Sequence, residues 1–196
     1  GARAGIERMK SRIRMSGYMG CSNANVLNPN NVTTGLAQIA FAPNVMITGV
    51  DDDAAVNAVI DGTDSINVIS ATAASTRMNA NMASRSANLV ITNNPYNFRE
   101  NDALVITDCD TADVFAISSI TGTGPFTIAQ AAANTNGDVI NGSANLVKAY
   151  EANTSLVMSL TNVTYSVQDT GRTDDAGNPV LGLFETPAGG AAVEVV

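Results

Sequence analysis

The sequence predicts an α+β protein, with one amphipathic N-terminal helix followed by an antiparallel, β-rich body. Three observations carry that expectation. A sustained helical period occupies residues 2–16, where Ala2, Ile6, Met9 and Ile13 step by four, three and four residues and so share a face. From Ser65 onward, short β-branched runs recur between Asn, Gly, Asp, Ser and Pro, the punctuation that hairpins leave in a chain. The composition agrees: aromatics are 5%, Trp and His are absent, and Ala, Asn, Thr, Ser, Val and Gly dominate, which suits many short strands better than a bundle. At 196 residues and 45% hydrophobic, the chain is long and apolar enough to fold around a core.

On the helix, Ile6, Met9 and Ile13 form the expected packing face, and Arg3, Glu7, Lys10 and Arg14 cover the remaining surface. Gly17 supplies the C-terminal stop. Residues 22–44, rich in Asn and Pro, read as a long loop that could hold a helical turn at Thr34–Ile39. Val45–Thr48 is a candidate strand. Asp51-Asp52-Asp53 is placed to cap a short helix over Ala54–Ile60, because carboxylates favour a helix N-terminus. The strand candidates that follow are Ser65–Ala71, Ala87–Thr92, Ala103–Thr107, Asp113–Ile120, Phe126–Gln130, Leu146–Tyr150, Ser155–Gln168, Val180–Glu185 and Ala192–Val196. Thr170–Pro179 reads as the loop of a hairpin between the long strand and its successor. Ala71–Ser86 shows no clear period.

The net charge is −8, but it is unevenly spread. The first 20 residues carry Arg3, Arg8, Lys10, Arg12 and Arg14 against Glu7, a net of +4, which leaves −12 on the rest. Nucleic acid is excluded as a partner for the acidic body, because phosphate contacts need clustered cations on the docking face. The basic helix is instead a candidate charge surface for assembly, formed by Arg3, Arg8, Lys10, Arg12 and Arg14.

Cys21 and Cys109 belong to no CxxC or metal-like spacing. Two unrelated buried thiols or one disulfide would both fit. The disulfide is the reading adopted, and it implies an oxidising compartment. Closing a loop of about 88 residues would stabilise the fold by roughly 4–5 kcal/mol in the chain-entropy model, an upper figure.

Catalysis finds little to build on. With no His, Ser-His-Asp, Cys-His and His-containing metal sites are impossible. The two lysines, Lys10 and Lys148, lie in no Ser-x-x-Lys context, and a glycosidase would usually carry aromatic platforms, whereas aromatics are scarce here. The expectation is therefore no enzyme, no cofactor, no metal and no small-molecule substrate. Asp108, Asp110 and Asp113, like Asp51–Asp53 and Asp174-Asp175, match no Ca²⁺ loop and read as turn residues and caps. Four Asn-x-Ser/Thr sequons, at Asn31, Asn141, Asn153 and Asn162, are expected by chance in so Asn-, Ser- and Thr-rich a chain. No stretch approaches the ~20 apolar residues of a membrane-spanning helix.

The run Ile13-Arg14-Met15-Ser16-Gly17-Tyr18-Met19-Gly20-Cys21 resembles the end of the N-terminal helix in PilW-type minor pilins, which reads arginine–methionine–alanine–glycine–aromatic–x–glycine–cysteine. Three later stretches follow the same family's order. Gly62-Thr63-Asp64-Ser65-Ile66-Asn67-Val68 is similar to its entry to a strand. Leu104-Val105-Ile106-Thr107-Asp108-Cys109 with Asp113-Val114-Phe115 is similar to the strand carrying its second cysteine. Val163-Thr164-Tyr165-Ser166-Val167 with Leu181-Gly182-Leu183-Phe184 is similar to its tyrosine strand and hairpin partner. The resemblance implies a pilin-like fold, with residues 2–20 as the lower half of a longer helix and 21–196 as a β-rich head forming one domain with it. It implies an apolar upper half of that helix in the inner membrane, a periplasmic or extracellular head, and a place in pilus assembly beside other minor and major pilins. A type II secretion minor pseudopilin shares this architecture. A secreted adhesin or carbohydrate-binding β module is the alternative of another class.

Overall fold

The computed structural model describes residues 2–21, 27–28, 32–34, 46–51, 60, 62–132, 139–188 and 190–195. One α-helix, α1 (Ala2–Arg14), opens the chain, and strands follow: β1 (Leu27–Asn28), β2 (Val32–Thr34), β3 (Ile47–Val50), β4 (Ser65–Arg77), β5 (Leu89–Ile91), β6 (Ala103–Thr107), β7 (Ala112–Ala116), β8 (Ser119–Thr121), β9 (Phe126–Ala129), β10 (Val139–Asn141), β11 (Leu156–Thr173), β12 (Pro179–Pro187) and β13 (Val193–Glu194). The architecture is thus α+β, one short N-terminal helix and a body of mainly antiparallel strands. The helix expected over Ala54–Ile60 and the helical turn expected over Thr34–Ile39 lie mostly outside the described residues; Thr34 itself ends β2.

The chain forms two compact units. The first comprises residues 1–16, 46–69 and 162–196; the second comprises 17–45 and 70–161. β4 and β11 are long enough to contribute residues to both.

In the first unit, β3 pairs antiparallel with the start of β4 (Ile47↔Val68 to Val50↔Ser65). The later part of β11 pairs with β12 (Val163↔Pro187 to Thr173↔Pro179), and β12 with β13. This hairpin was legible, although its loop is tighter than Thr170–Pro179. Strand pairing continues to Thr173, and only Asp174–Asn178 turn. Asp174 Oδ1 accepts from Ala176 N (2.9 Å) and Asn178 N (2.8 Å), the Asx geometry that makes Asp a turn former. Those bonds, led by the Asn178 side-chain amide and backbone N–H, hold the exposed carboxyl below its ordinary range.

In the second unit the order is β1-β7-β6-β11, with β1 parallel to β7 and the other pairs antiparallel. β5, β9 and β8 form a separate three-stranded sheet, and β2 pairs with β10. β6 and β7 are buried along nearly their whole length, so they read as continuous apolar runs rather than alternating ones. Leu89, Ile91, Leu104, Phe115, Ile128 and Val157 form the centre of this unit's core.

Three strand expectations need correction. Asp113–Ile120 is two strands, because Ile117 and Ser118 leave the ladder: Ile117 N donates to Asp102 O (2.9 Å) and Ser118 N to Ala129 O (2.9 Å). Leu146–Tyr150 is no strand, although Leu146 and Tyr150 are fully buried. Its backbone reaches isolated partners instead: Leu146 N donates to Arg85 O (3.0 Å), and Tyr150 O accepts from Met82 N (3.0 Å). Side-chain burial alone made it look like a strand. Finally, β4 continues to Arg77, six residues beyond the expected end, through the Ala-, Ser- and Thr-rich stretch that lacked a readable period.

Asn141 closes β10 and is itself buried. Its amide completes the backbone of Ala116, with Oδ1 accepting from Ala116 N (2.7 Å) and Nδ2 donating to Ala116 O (2.8 Å) and Ala131 O (3.1 Å). A side chain thus stands in for a ladder partner at the end of β7.

Candidate functional site

Two side-chain clusters, one in each unit, bear on function. In the first unit, α1 is fastened by an ion pair. Arg8 Nε lies 2.6 Å from Glu185 Oε2, and Arg8 Nη2 donates to Glu185 Oε1 at 2.8 Å. Glu185 sits on β12 and is only 5% exposed, and Tyr165 Oη on β11 donates to its Oε2 at 2.9 Å. This is a forked guanidinium–carboxylate contact with a third donor, a geometry stronger than a single charged bond. Both partners respond. The bond to Glu185, then its charge, raises Arg8; burial, followed by the Glu185 bond, lifts the Tyr165 phenol to about 12.

The helix residues therefore sort differently from the expected faces. Gly5 is the buried position, and Met9, Arg12 and Ile13 are half-buried, whereas Ile6 is 47% exposed. The docked stripe thus runs through residues 5, 9 and 12–13, with Ile6 outside it. A buried glycine adds nothing to an apolar-residue count, so the sequence pattern did not place Gly5 on the docked face. Of the expected charge surface, Arg8 is committed to Glu185 and Arg12 acts on Tyr165. Arg3, Lys10 and Arg14 are exposed, with Lys10 Nζ 3.0 Å from Glu7 Oε1. Ser16 Oγ extends the docking by donating to Met46 O (3.1 Å).

Arg8→Ala should lower stability by about 2 kcal/mol, because it takes both guanidinium donors from a buried carboxylate. Lys10→Ala, which breaks only an exposed pair, should cost at most about 0.5 kcal/mol. Urea unfolding of both variants checks this; equal effects would mean that the Arg8 pair does not hold the helix.

In the second unit, Cys21 and Cys109 form a disulfide, with Cα atoms 4.8 Å apart and 88 residues of separation. Cys109 lies not on a strand but in the β6–β7 turn, at φ 77°, the left-handed region a non-glycine residue rarely adopts. That turn is densely bonded. Thr107 Oγ1 donates to Thr111 O (2.9 Å) and accepts from Cys109 N (3.1 Å), and Asp108 Oδ1 accepts from Thr111 N (3.0 Å) and Thr111 Oγ1 (3.1 Å).

The run Gly17-Tyr18-Met19-Gly20-Cys21 approaches this turn with φ 72° at Gly17 and 73° at Gly20. A Cβ at Gly20 would lie 2.7 Å from Met158 Cε and 3.2 Å from Thr107 Cγ2. Gly20 is thus required twice, for its dihedral and for its space. Gly20→Ala should cost roughly 1–3 kcal/mol; an unchanged thermal midpoint would refute both reasons.

Beside the staple lies an acidic centre that spacing alone did not resolve. Asp113 on β7 is completely buried and accepts from Tyr150 Oη (2.8 Å) and Val147 N (2.9 Å) through Oδ2. Lys148 pairs with Asp108, and its Nζ stands 5.6 Å from the Tyr150 ring centroid, within cation–π range. Burial, then the neighbouring Asp113 charge, pushes the Tyr150 phenol far above its ordinary value.

For Asp108, burial opposes ionisation, but the bonds from Lys148 and Thr111 outweigh it and lower the pKa below 3.8. A carboxyl depressed on folding contributes stability that is fully present above its unfolded value and is lost as pH falls through the folded one. Acid titration of the Asp108→Asn variant should therefore lose part of the wild type's stability decline below about pH 4; superimposable pH profiles would exclude Asp108 as a contributor.

Among the described residues no group of three or more His, Cys, Asp or Glu side chains is placed to hold a metal ion, and no helix is long and apolar enough to cross a membrane. The disulfide is compatible with a periplasmic or extracellular location. No family model, curated protein or solved structure matches this chain.

Proposed function

We propose that the protein is a structural assembly subunit of the minor-pilin type, acting through its N-terminal helix rather than through catalysis. The observation that carries the reading is the one-sided docking of α1. The helix is fixed to β12 by Arg8–Glu185, while Arg3, Ile6, Lys10 and Arg14 stay exposed along it. Such a helix is held by its own head and still presents an apolar and cationic face to another subunit, where charge complementarity would govern register. The run Gly17–Cys21, which leads from the helix into a disulfide, supports the same reading. The acids Asp108, Asp113 and Glu185 are each engaged by internal donors, so they support a structural role over a hydrolytic one.

In the source organism, deleting the gene should reduce surface filaments, and re-expression should restore them. Codons ahead of Ala2 should specify a short basic leader, then Gly and a hydrophobic stretch with Glu near its start. Unchanged filaments with impaired protein secretion would move the assignment to a pseudopilin. A conventional cleaved signal peptide directly before Ala2, with neither phenotype, would overturn the assembly reading in favour of a secreted adhesin or sugar-binding module.

A further inference from the structure

The four sequons have different fates in the fold. Asn141 is buried and bonded to the backbone of Ala116, and Asn162 is 8% exposed with its Oδ1 accepting from Asn67 Nδ2 (2.6 Å). A sugar on either amide would displace those bonds and could not be housed. Asn31 lies outside the described residues. Asn153 is exposed, on the turn that leads into β11, and among the described residues its side-chain amide has no partner. The turn is held by bonds from Thr154 N (3.3 Å) and Ser155 N (3.1 Å) to Glu151 O.

Two further observations separate Asn153 from the other sequons. The third residue of its sequon, Ser155, is completely buried, and no protein group bonds its hydroxyl among the described residues. A buried hydroxyl without a partner costs about 1–3 kcal/mol, so the fold itself would favour Ala there. Its presence calls for a reason other than packing. Glu151, exposed, also stands two residues before Asn153, whereas the corresponding positions before Asn31, Asn141 and Asn162 are Pro29, Val139 and Leu160. A transferase that reads a carboxylate at −2 and a hydroxyl at +2 would take Asn153 and leave the other three.

We propose that Asn153 is an N-glycosylation site for an oligosaccharyltransferase of this acid-requiring kind. The co-reactant is a glycan carried on a polyprenyl diphosphate. Asn153 Nδ2 forms a bond to C1 of the first sugar, the bond from C1 to the diphosphate oxygen breaks, and one amide proton leaves with the diphosphate. Transfer takes place while 151–155 are open, before β11 closes over the Ser155 hydroxyl. The site rests on this turn alone and is independent of the assembly reading.

The test is intact-mass and peptide mapping of the full chain isolated from its source organism. A single glycan on the peptide containing Asn153 is expected, absent from Asn153→Gln, Glu151→Gln and Ser155→Ala. Ser155→Ala should also keep or raise the thermal midpoint, which separates loss of recognition from loss of fold. A wild-type mass equal to that of the bare oxidised polypeptide would overturn the proposal. So would a glycan at Asn31, Asn141 or Asn162, or one that persists in Glu151→Gln.

Discussion

Replacing Asp113 with Ala is expected to lower the unfolding free energy by about 4 kcal/mol, among the largest single-residue effects in the molecule. The carboxylate is fully buried on β7, and two donors converge on its Oδ2, Tyr150 Oη at 2.8 Å and Val147 N at 2.9 Å. Alanine removes the acceptor, strands the fully buried Tyr150 hydroxyl at roughly 1–3 kcal/mol, frees the part-buried Val147 N–H and leaves a cavity. The effect reaches beyond β7, because the segment around Leu146–Tyr150 has no ladder of its own and depends on such contacts for its position. Asp113→Asn keeps an acceptor oxygen and the volume, and should cost about half as much. Tyr150→Phe removes only the hydroxyl and should cost about 1–2 kcal/mol. Urea unfolding of the three single variants and of Asp113→Ala with Tyr150→Phe forms the measurement. The double variant should cost clearly less than the sum of its singles, since the two groups share one bond. A loss below about 1 kcal/mol for Asp113→Ala would show that water replaces the carboxylate without penalty.

The same segment shows where sequence reasoning reached its limit. Periodicity reports which residues prefer burial, and it identified the helix, the long strand β11 and the β11–β12 hairpin, because those elements bury through regular repeats. Leu146 and Tyr150 are also buried, both in the apolar core of the second unit and Tyr150 also through its bond to Asp113, and a local pattern cannot distinguish that from a strand. Gly5 escaped notice for a related reason, since a buried glycine carries no side chain for an apolar pattern to register. The Arg8–Glu185–Tyr165 cluster joins residues 177 positions apart, and only the pairing of β11 with β12 brings Tyr165 opposite Glu185. The cysteines were legible as a pair, because an absence of His and of metal spacing leaves thiols few other uses. Their setting was not: Cys109 occupies a left-handed turn rather than a strand, a conformation that Gly or Asn would have announced.

That setting makes removal of the disulfide the second large expected effect. With both cysteines replaced by Ser, the 88-residue loop is no longer closed in the unfolded chain, and stability should fall by roughly 3–4 kcal/mol, below the roughly 4–5 kcal/mol of the ideal chain model. The ideal figure is an upper one, because the unfolded ensemble is already partly compact without a crosslink, so opening the loop restores less freedom than an ideal chain would gain. A second variant isolates the backbone contribution. Cys109 holds φ 77°, which costs a non-glycine residue about 1 kcal/mol or more. Combining Cys21→Ser with Cys109→Gly should therefore recover about 1 kcal/mol relative to the double serine variant. Urea unfolding of oxidised, reduced and substituted protein measures both effects, with non-reducing peptide mapping to verify the Cys21–Cys109 link in the starting material. If reduction leaves the midpoint unchanged, the staple is ornamental to the fold. If the Gly and Ser variants coincide, the turn relaxes out of the left-handed region once it is released. A loss of the expected size would also make folding depend on an oxidising compartment, since the second unit would reach full stability only after the thiols have joined.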